Sequence, residues 1–296
     1  MTDEAIDPDG VYEDIPAVNA ARALHRLLTK VRQSGAPTIA KGWEAALQAN
    51  FGTPLFAIRH TDAVGLFRTV IERLDVVQGD EGGMLRSLIA RWHDAVVFKS
   101  SWSDRTVPAE HLIADDHLNQ LASVAVIFDY QFEDRKKTVP AASVRALRES
   151  ANEWLDLLSE ESSLPEPLRD ELQSQVRHLI WLLDHSRLFG SQPVIEKSNA
   201  LIGRGFDVLA SFGPKVNKRK WATILTTTIA ALAFVNHGVD QTADFVENVN
   251  RLTAAVEEFQ DGPASSPLKE LEAKPPKALP PVQVPPVNES EAPGSP

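Results

Sequence analysis

The 296-residue chain contains no cysteine, which excludes disulfides, thiolate metal sites and cysteine nucleophiles together. That absence fits a cytoplasmic protein. The first sixteen residues, MTDEAIDPDGVYEDIP, carry six acids and no base, the reverse of a secretory or transit peptide. No secretion is expected. Runs of period-two alternation bounded by hairpin turns are missing too, so strands are not expected. A G-x-S-x-G elbow is absent, and IGRGF at 202–206 lacks the Lys-Ser/Thr of a phosphate loop and follows no strand. It reads as a helix bend or a close-packing point. Neither a cofactor nor a catalytic or metal-ligating residue is assigned. Net charge is −11, and the broad excess of Lys and Arg that a phosphate backbone requires is lacking. Nucleic acid is not an expected partner.

What the chain does have is helical periodicity, and the expected fold class is all-α, a bundle of about nine to ten helices. Val18, Ala21, Leu24, Leu28 and Val31 mark the first, ended by SGAP; a short piece follows around 43–49. In FGTP, Thr53 can cap while Pro54 takes the first helical position. Further helices are expected from there to about residue 74, over 84–99, and from Pro108 to about Phe132. Beyond the charged FEDRKKTVP boundary come helices led by Val144, Leu147 and Trp154, and by Leu172, Val176 and Leu179, the latter stopped by Gly190. A helix over 193–211 is expected to loosen at Gly203 and Gly205. The organisation read from this is a disordered acidic leader (1–16), an N-terminal helical domain (17–135) and a C-terminal helical domain (140–260). After 261 the Pro-Pro pairs at 275, 280 and 285 recur every five residues, a pattern that samples polyproline II and does not fold.

One stretch stands out. The basic run Lys215, Lys218, Arg219 and Lys220 precedes nineteen residues without formal charge, 221–239. As a helix these would extend about 28 Å, close to the thickness of a bilayer core. Four threonines and the Asn236-His237-Gly238 end dilute that apolarity, and the apolar part up to Val235 is fifteen residues, shorter than the roughly 17–25 a spanning helix needs. A buried helix is the favoured reading. The next segment sets Val246, Val249, Leu252, Val256 and Phe259 on one stripe, so the two can form an antiparallel hairpin over 221–259. The residues expected to meet a protein partner or an anionic membrane face are this stripe, the basic run, and Trp221, Ile224, Leu225, Ile229, Leu232 and Phe234. Trp221, between a basic and an apolar run, occupies the place of an interfacial tryptophan.

Other constellations are weaker. The order His60, His93-Asp94, Asp115-Asp116 is loosely similar to the ligand set of HD-type metal-dependent phosphohydrolases. The bland reading is that Trp92 packs inward while His93 and Asp94 face solvent. His178 and His185, seven apart, share a helix face without a third ligand nearby. The six tryptophans are spread through the helices as core anchors rather than gathered as a cage.

LPEPLR at 164–169 and L-D-x-x-R-x-x-G at 183–190, followed by an apolar and then an amphipathic helix, resemble uncharacterised helical proteins of bacterial and phage genomes. The resemblance spans about 152–259. It implies a non-catalytic helical module, sometimes near a membrane or in phage–host conflict loci. The expected function is therefore a non-enzymatic interaction protein acting through its C-terminal hairpin. The alternatives are a membrane-acting effector in phage defence or exclusion, and the HD-type hydrolase.

Overall fold

A computed structural model describes residues 19–77, 83, 85–97, 100–103, 108–132, 139–212 and 215–237. Among them are eleven α-helices, one short 3-10 helix (Ser100–Ser103) and no strand. In chain order the helices are α1 (Ala20–Gln33), α2 (Ile39–Leu47), α3 (Pro54–Val76), α4 (Ile89–Val96), α5 (Ala109–Leu112) and α6 (Asp115–Gln131). The second half holds α7 (Ala141–Glu160), α8 (Glu166–Asp184), α9 (Ser186–Phe189), α10 (Gln192–Phe212) and α11 (Lys218–His237). The protein is all-α, as its periodicity implies.

α1 is the hub of the first half, touching α2, α3, α6 and α9. Its wide apolar face, from Ala20 through Leu24, Leu27 and Leu28 to Val31, is fully buried. Asn19 caps it, accepting from the Arg22 N–H at 3.0 Å, while the Asn19 amide donates to Ala125 O (2.7 Å) and Asp129 Oδ1 (2.8 Å). One side chain thus satisfies a helix end and ties α1 to α6. Thr53 caps α3 with Pro54 in its first turn, as the local sequence requires.

Several boundaries differ from expectation. The helix expected over 84–99 is regular over Ile89–Val96, and the one expected to run to Gly190 ends at Asp184, with His185 dividing it from the four-residue α9 that Gly190 closes. α2 begins at Ile39, because Thr38 accepts from the Lys41 N–H and starts the helix early. The expected helix after Pro108 is divided at Ile113 and Ala114, and Asp115 and Asp116 begin a new first turn, where carboxylates favour the helix dipole. α10 runs unbroken through Gly203 and Gly205. Gly205 is a close-packing point: a Cβ there would lie 2.6 Å from Leu225 and 2.7 Å from Trp154.

In the second half α7 packs on α8 and α11, and α10 packs on α8 and α11. The halves meet where α9 lies on α1 and α10 on α3. A single connected set of buried apolar side chains runs from Ala20 to Leu232.

Candidate functional site

α11, the last of the described helices, is held by polar bonds as well as by apolar packing. Thr228, 1% exposed, donates its hydroxyl proton to Ile224 O (2.8 Å) and accepts from Trp154 Nε1 (2.9 Å). Its second lone pair takes the Ser150 hydroxyl at 2.7 Å, so every bond a threonine hydroxyl can make is made. Two turns earlier on the helix, Trp221 packs edge-on against Trp154 (centroids 5.3 Å). Its Nε1 donates to Glu161 Oε2 at 3.3 Å. Glu161 also accepts from Ser163 and from the Asn217 N–H. Burial pushes this carboxyl up, but these hydrogen bonds outweigh it and hold it below the ordinary glutamate range.

These contacts change the part played by the residues expected to meet a partner. Trp221, Ile224, Leu225 and Leu232 are buried within the chain, because α7 and α10 cover that face. Trp221 is a core residue, not an interfacial one. Ile229 is half-buried. Of the basic run, Lys215 and Arg219 are exposed and Lys218 is half-buried, while Lys220 Nζ pairs with Glu160 Oε2 at 2.6 Å. The Phe234 side chain and Val246, Val249, Leu252, Val256 and Phe259 lie outside what the structure describes, as do the acidic leader and the Pro-rich tail. Among the described residues, no helix is long and apolar enough to cross a membrane.

The loose HD-type set does not converge. His93 is exposed on α4, and Asp115 is paired with Arg32. His60 is enclosed by Trp43, Phe56 and Trp102, with ring centroids 5.1 to 5.4 Å away. Burial pushes its imidazole below the ordinary histidine range. Among the described residues no three His, Asp or Glu side chains are grouped as metal ligands. The tryptophans are all buried, yet not all apart: Trp43 and Trp102 stack at 6.3 Å around His60, a closed aromatic box rather than an open cage.

The seam between the halves holds a cluster that sequence reading missed. Asp62 on α3 is 6% exposed, and its Oδ2 lies 2.7 Å from His178 Nε2 on α8. Lys197 Nζ of α10 stands 3.6 Å from the other carboxylate oxygen. His178 stacks on Trp181, which stacks in turn on His185 at 4.4 Å, with the Arg59 guanidinium 4.2 Å over the indole. Arg59 Nη1 also donates to the carbonyls of Leu47 and Gln48 at the end of α2. Burial lowers the His185 pKa; the Trp181 carbonyl opposes this, and Lys30 and Arg59 add to it. The signal that could have found the site is Asp62 itself. It stands in step with Leu66 and Val70, an acid on an inward row of α3.

Beside this cluster a pocket of about 250 Å³ opens between α3 and the first turns of α10. Asp62, Arg68, Glu196 and Lys197 bring charge to its wall, and Val64, Leu66 and Pro193 bring apolar surface. Compared with known protein families, curated proteins and solved structures, the chain shows no match.

Proposed function

We propose that the protein is a non-enzymatic helical interaction module that recognises a protein partner through its carboxyl end. The observation carrying this reading is the anchoring of α11. Trp221, Leu225, Thr228 and Leu232 fasten the helix to the body, so the chain leaves from a fixed point. The Val246 to Phe259 stripe follows directly in sequence, and it inherits the contact role once attributed to α11 as well. Exposed Lys215 and Arg219 beside the helix start give an acidic partner a complementary edge.

The test compares the full chain with a chain ending at His237 and with full-length Val249→Asp/Leu252→Asp. A cut at 213 is unsuitable because it strips Trp221 and Leu225 from the core. Cross-linking in the producing cell, followed by mass spectrometry, is expected to join the full chain to one protein and neither variant to it. Vesicle flotation with anionic lipid is expected to leave all three at the bottom of the gradient. Identical cross-links in all three chains, or flotation of the full chain alone, would overturn the reading, the latter in favour of a membrane-acting effector.

A further inference from the structure

We propose that the acid-rich segment ahead of α1 lies back along the outward face of that helix. α1 carries Arg22, His25, Arg26, Lys30 and Arg32 and no Asp or Glu. Its apolar residues are buried, so these groups and Thr29 make up most of the side that remains. A solvated surface ordinarily intersperses both signs, and the chain as a whole is acidic, at −11. Arg22 is answered by Asp129 and Arg32 by Asp115. Half-buried Arg26 and exposed Lys30 have no carboxylate partner among the described residues. Their charge is felt nearby. Burial lowers the His25 pKa, and Arg26 and Arg22 lower it further. At His185 burial again leads, the Trp181 carbonyl opposes it, and Lys30 and Arg59 add to it. Both imidazoles sit in a positive surround that no carboxylate offsets.

The answering charge stands next to α1 in sequence. Residues 3–14 hold Asp3, Glu4, Asp7, Asp9, Glu13 and Asp14 and no base. Asn19 ties the helix entry to α6 through Ala125 O and Asp129 Oδ1, so the segment departs from a set point beside Arg22. From Asn19 to Lys30 is about 17 Å along the helix axis, and extended chain covers about 3.3 Å per residue. Glu13 and Asp14 therefore reach Arg26, and Asp9 reaches Lys30 with chain to spare. Exposed ion pairs are weak singly, but a short tether holds the segment at an effective concentration in the millimolar range. Several weak pairs then suffice. A composition too polar to build its own core is no obstacle, because this contact rests on charge rather than on apolar burial. So placed, the segment keeps other anions off α1 and leaves the Lys215 and Arg219 edge as the open basic surface. The inference goes beyond the carboxyl-terminal reading and does not depend on it.

Because the chain has no cysteine, one nitroxide can be placed at will. In the full chain Ala5→Cys carries it, and amide NMR spectra are compared with the label oxidised and reduced. The signals of Arg26 and Lys30 are expected to lose about twofold or more in intensity at about 0.05 M salt and to recover at about 1 M, where the Debye length is about 3 Å. Exchanging the acids of residues 3–14 for Asn and Gln in the labelled chain is expected to abolish the loss. Those substitutions lie ahead of Asn19 and leave every buried side chain as it is. Lys30→Glu, at an exposed position, is expected to reduce the loss. Full intensity of the α1 amides at low salt, or a loss that persists at high salt or in either variant, overturns the proposal. So does a loss centred on residues 215–219 instead. Mixing isotope-silent labelled chains with unlabelled isotope-enriched ones is expected to leave α1 unaffected; an equal loss there would assign the face to the segment of a second copy and overturn the proposal as well.

Discussion

The contact of α7 with α11 and the seam of α3 with α8 and α10 both bury polar groups, but they complete them differently. At the first, Thr228, Ser150 and Trp154 satisfy one another, and Glu161 accepts from Ser163, Asn217 and Trp221. At the second, Gln192 Oε1, His178 Nδ1, Trp181 Nε1 and the nearby hydroxyls of Ser191 and Ser198 are buried without a hydrogen-bond partner among the described residues. A saturated network fixes one register and tolerates no slip. An unsaturated one leaves buried polar groups uncompensated, which costs stability at that place. α11 is thus held as framework by a completed network, whereas the seam carries the more costly burial.

The sharpest way to break this contrast is at the seam. His178→Ala leaves a buried Asp62 with only a loose lysine, and unfolding in urea is expected to show a loss of about 3–5 kcal/mol. Asp62→Leu/His178→Leu, which removes both members, should recover most of it; an equal or larger loss would mean that the pair is not the source. At the framework contact, Thr228→Val keeps the shape but strands the Trp154 and Ser150 donors. A loss of about 1–3 kcal/mol is expected there.

Two glycines sharpen the comparison further. Gly205→Ala forces a methyl against Leu225 and Trp154 and is expected to cost about 1–3 kcal/mol. Gly65→Ala meets only open space within a helix and is expected to gain about 0.5–1 kcal/mol. Equal signs for the two would contradict the packing described.

Acid should separate the regions last and most gently. The His185 pKa is depressed, so above the ordinary histidine value of 6.5 the imidazole is neutral in both states and its environment costs nothing. As pH falls below 6.5 the unfolded chain takes up a proton that the folded one resists, and stability is lost. For Glu161 the depressed pKa adds stability above the ordinary 4.5, and this is lost only as pH falls through the lower folded value. Protection from hydrogen exchange, taken relative to the intrinsic rate at each pH, is expected to fall in α8 before α7 and α11 as pH descends from 7. The reverse order would count against the assignment.

Much of the fold was legible because helix signals are local. Thr53-Pro54 and the stripe of α1 lie within a few residues of what they control, whereas Gly190 closes only the short α9, α8 having ended at Asp184. The role of 221–239 was less legible because its partners are distant in sequence. Thr228 dilutes a would-be membrane segment when counted alone, and becomes a core anchor only when Ser150 and Trp154, more than seventy residues earlier, are brought to it. At Gly205 the sequence leaves a helix bend and a close-packing point both open, and only Leu225 and Trp154 against it decide for the second. The seam cluster joins Asp62, His178 and Lys197 from three helices, and no local spacing relates them. Only the acid on an apolar row gave a hint.

The chain's lack of cysteine makes the central contact directly measurable. Ser150→Cys with Thr228→Cys places two thiols where hydroxyl oxygens now lie 2.7 Å apart, within reach of a disulfide. Mild oxidation of the full-length double variant is expected to close an intramolecular bond completely, to the same extent with or without anionic vesicles. Failure to cross-link, or a cross-link that vesicles abolish, would contradict the account of α11 as a helix packed within its own chain.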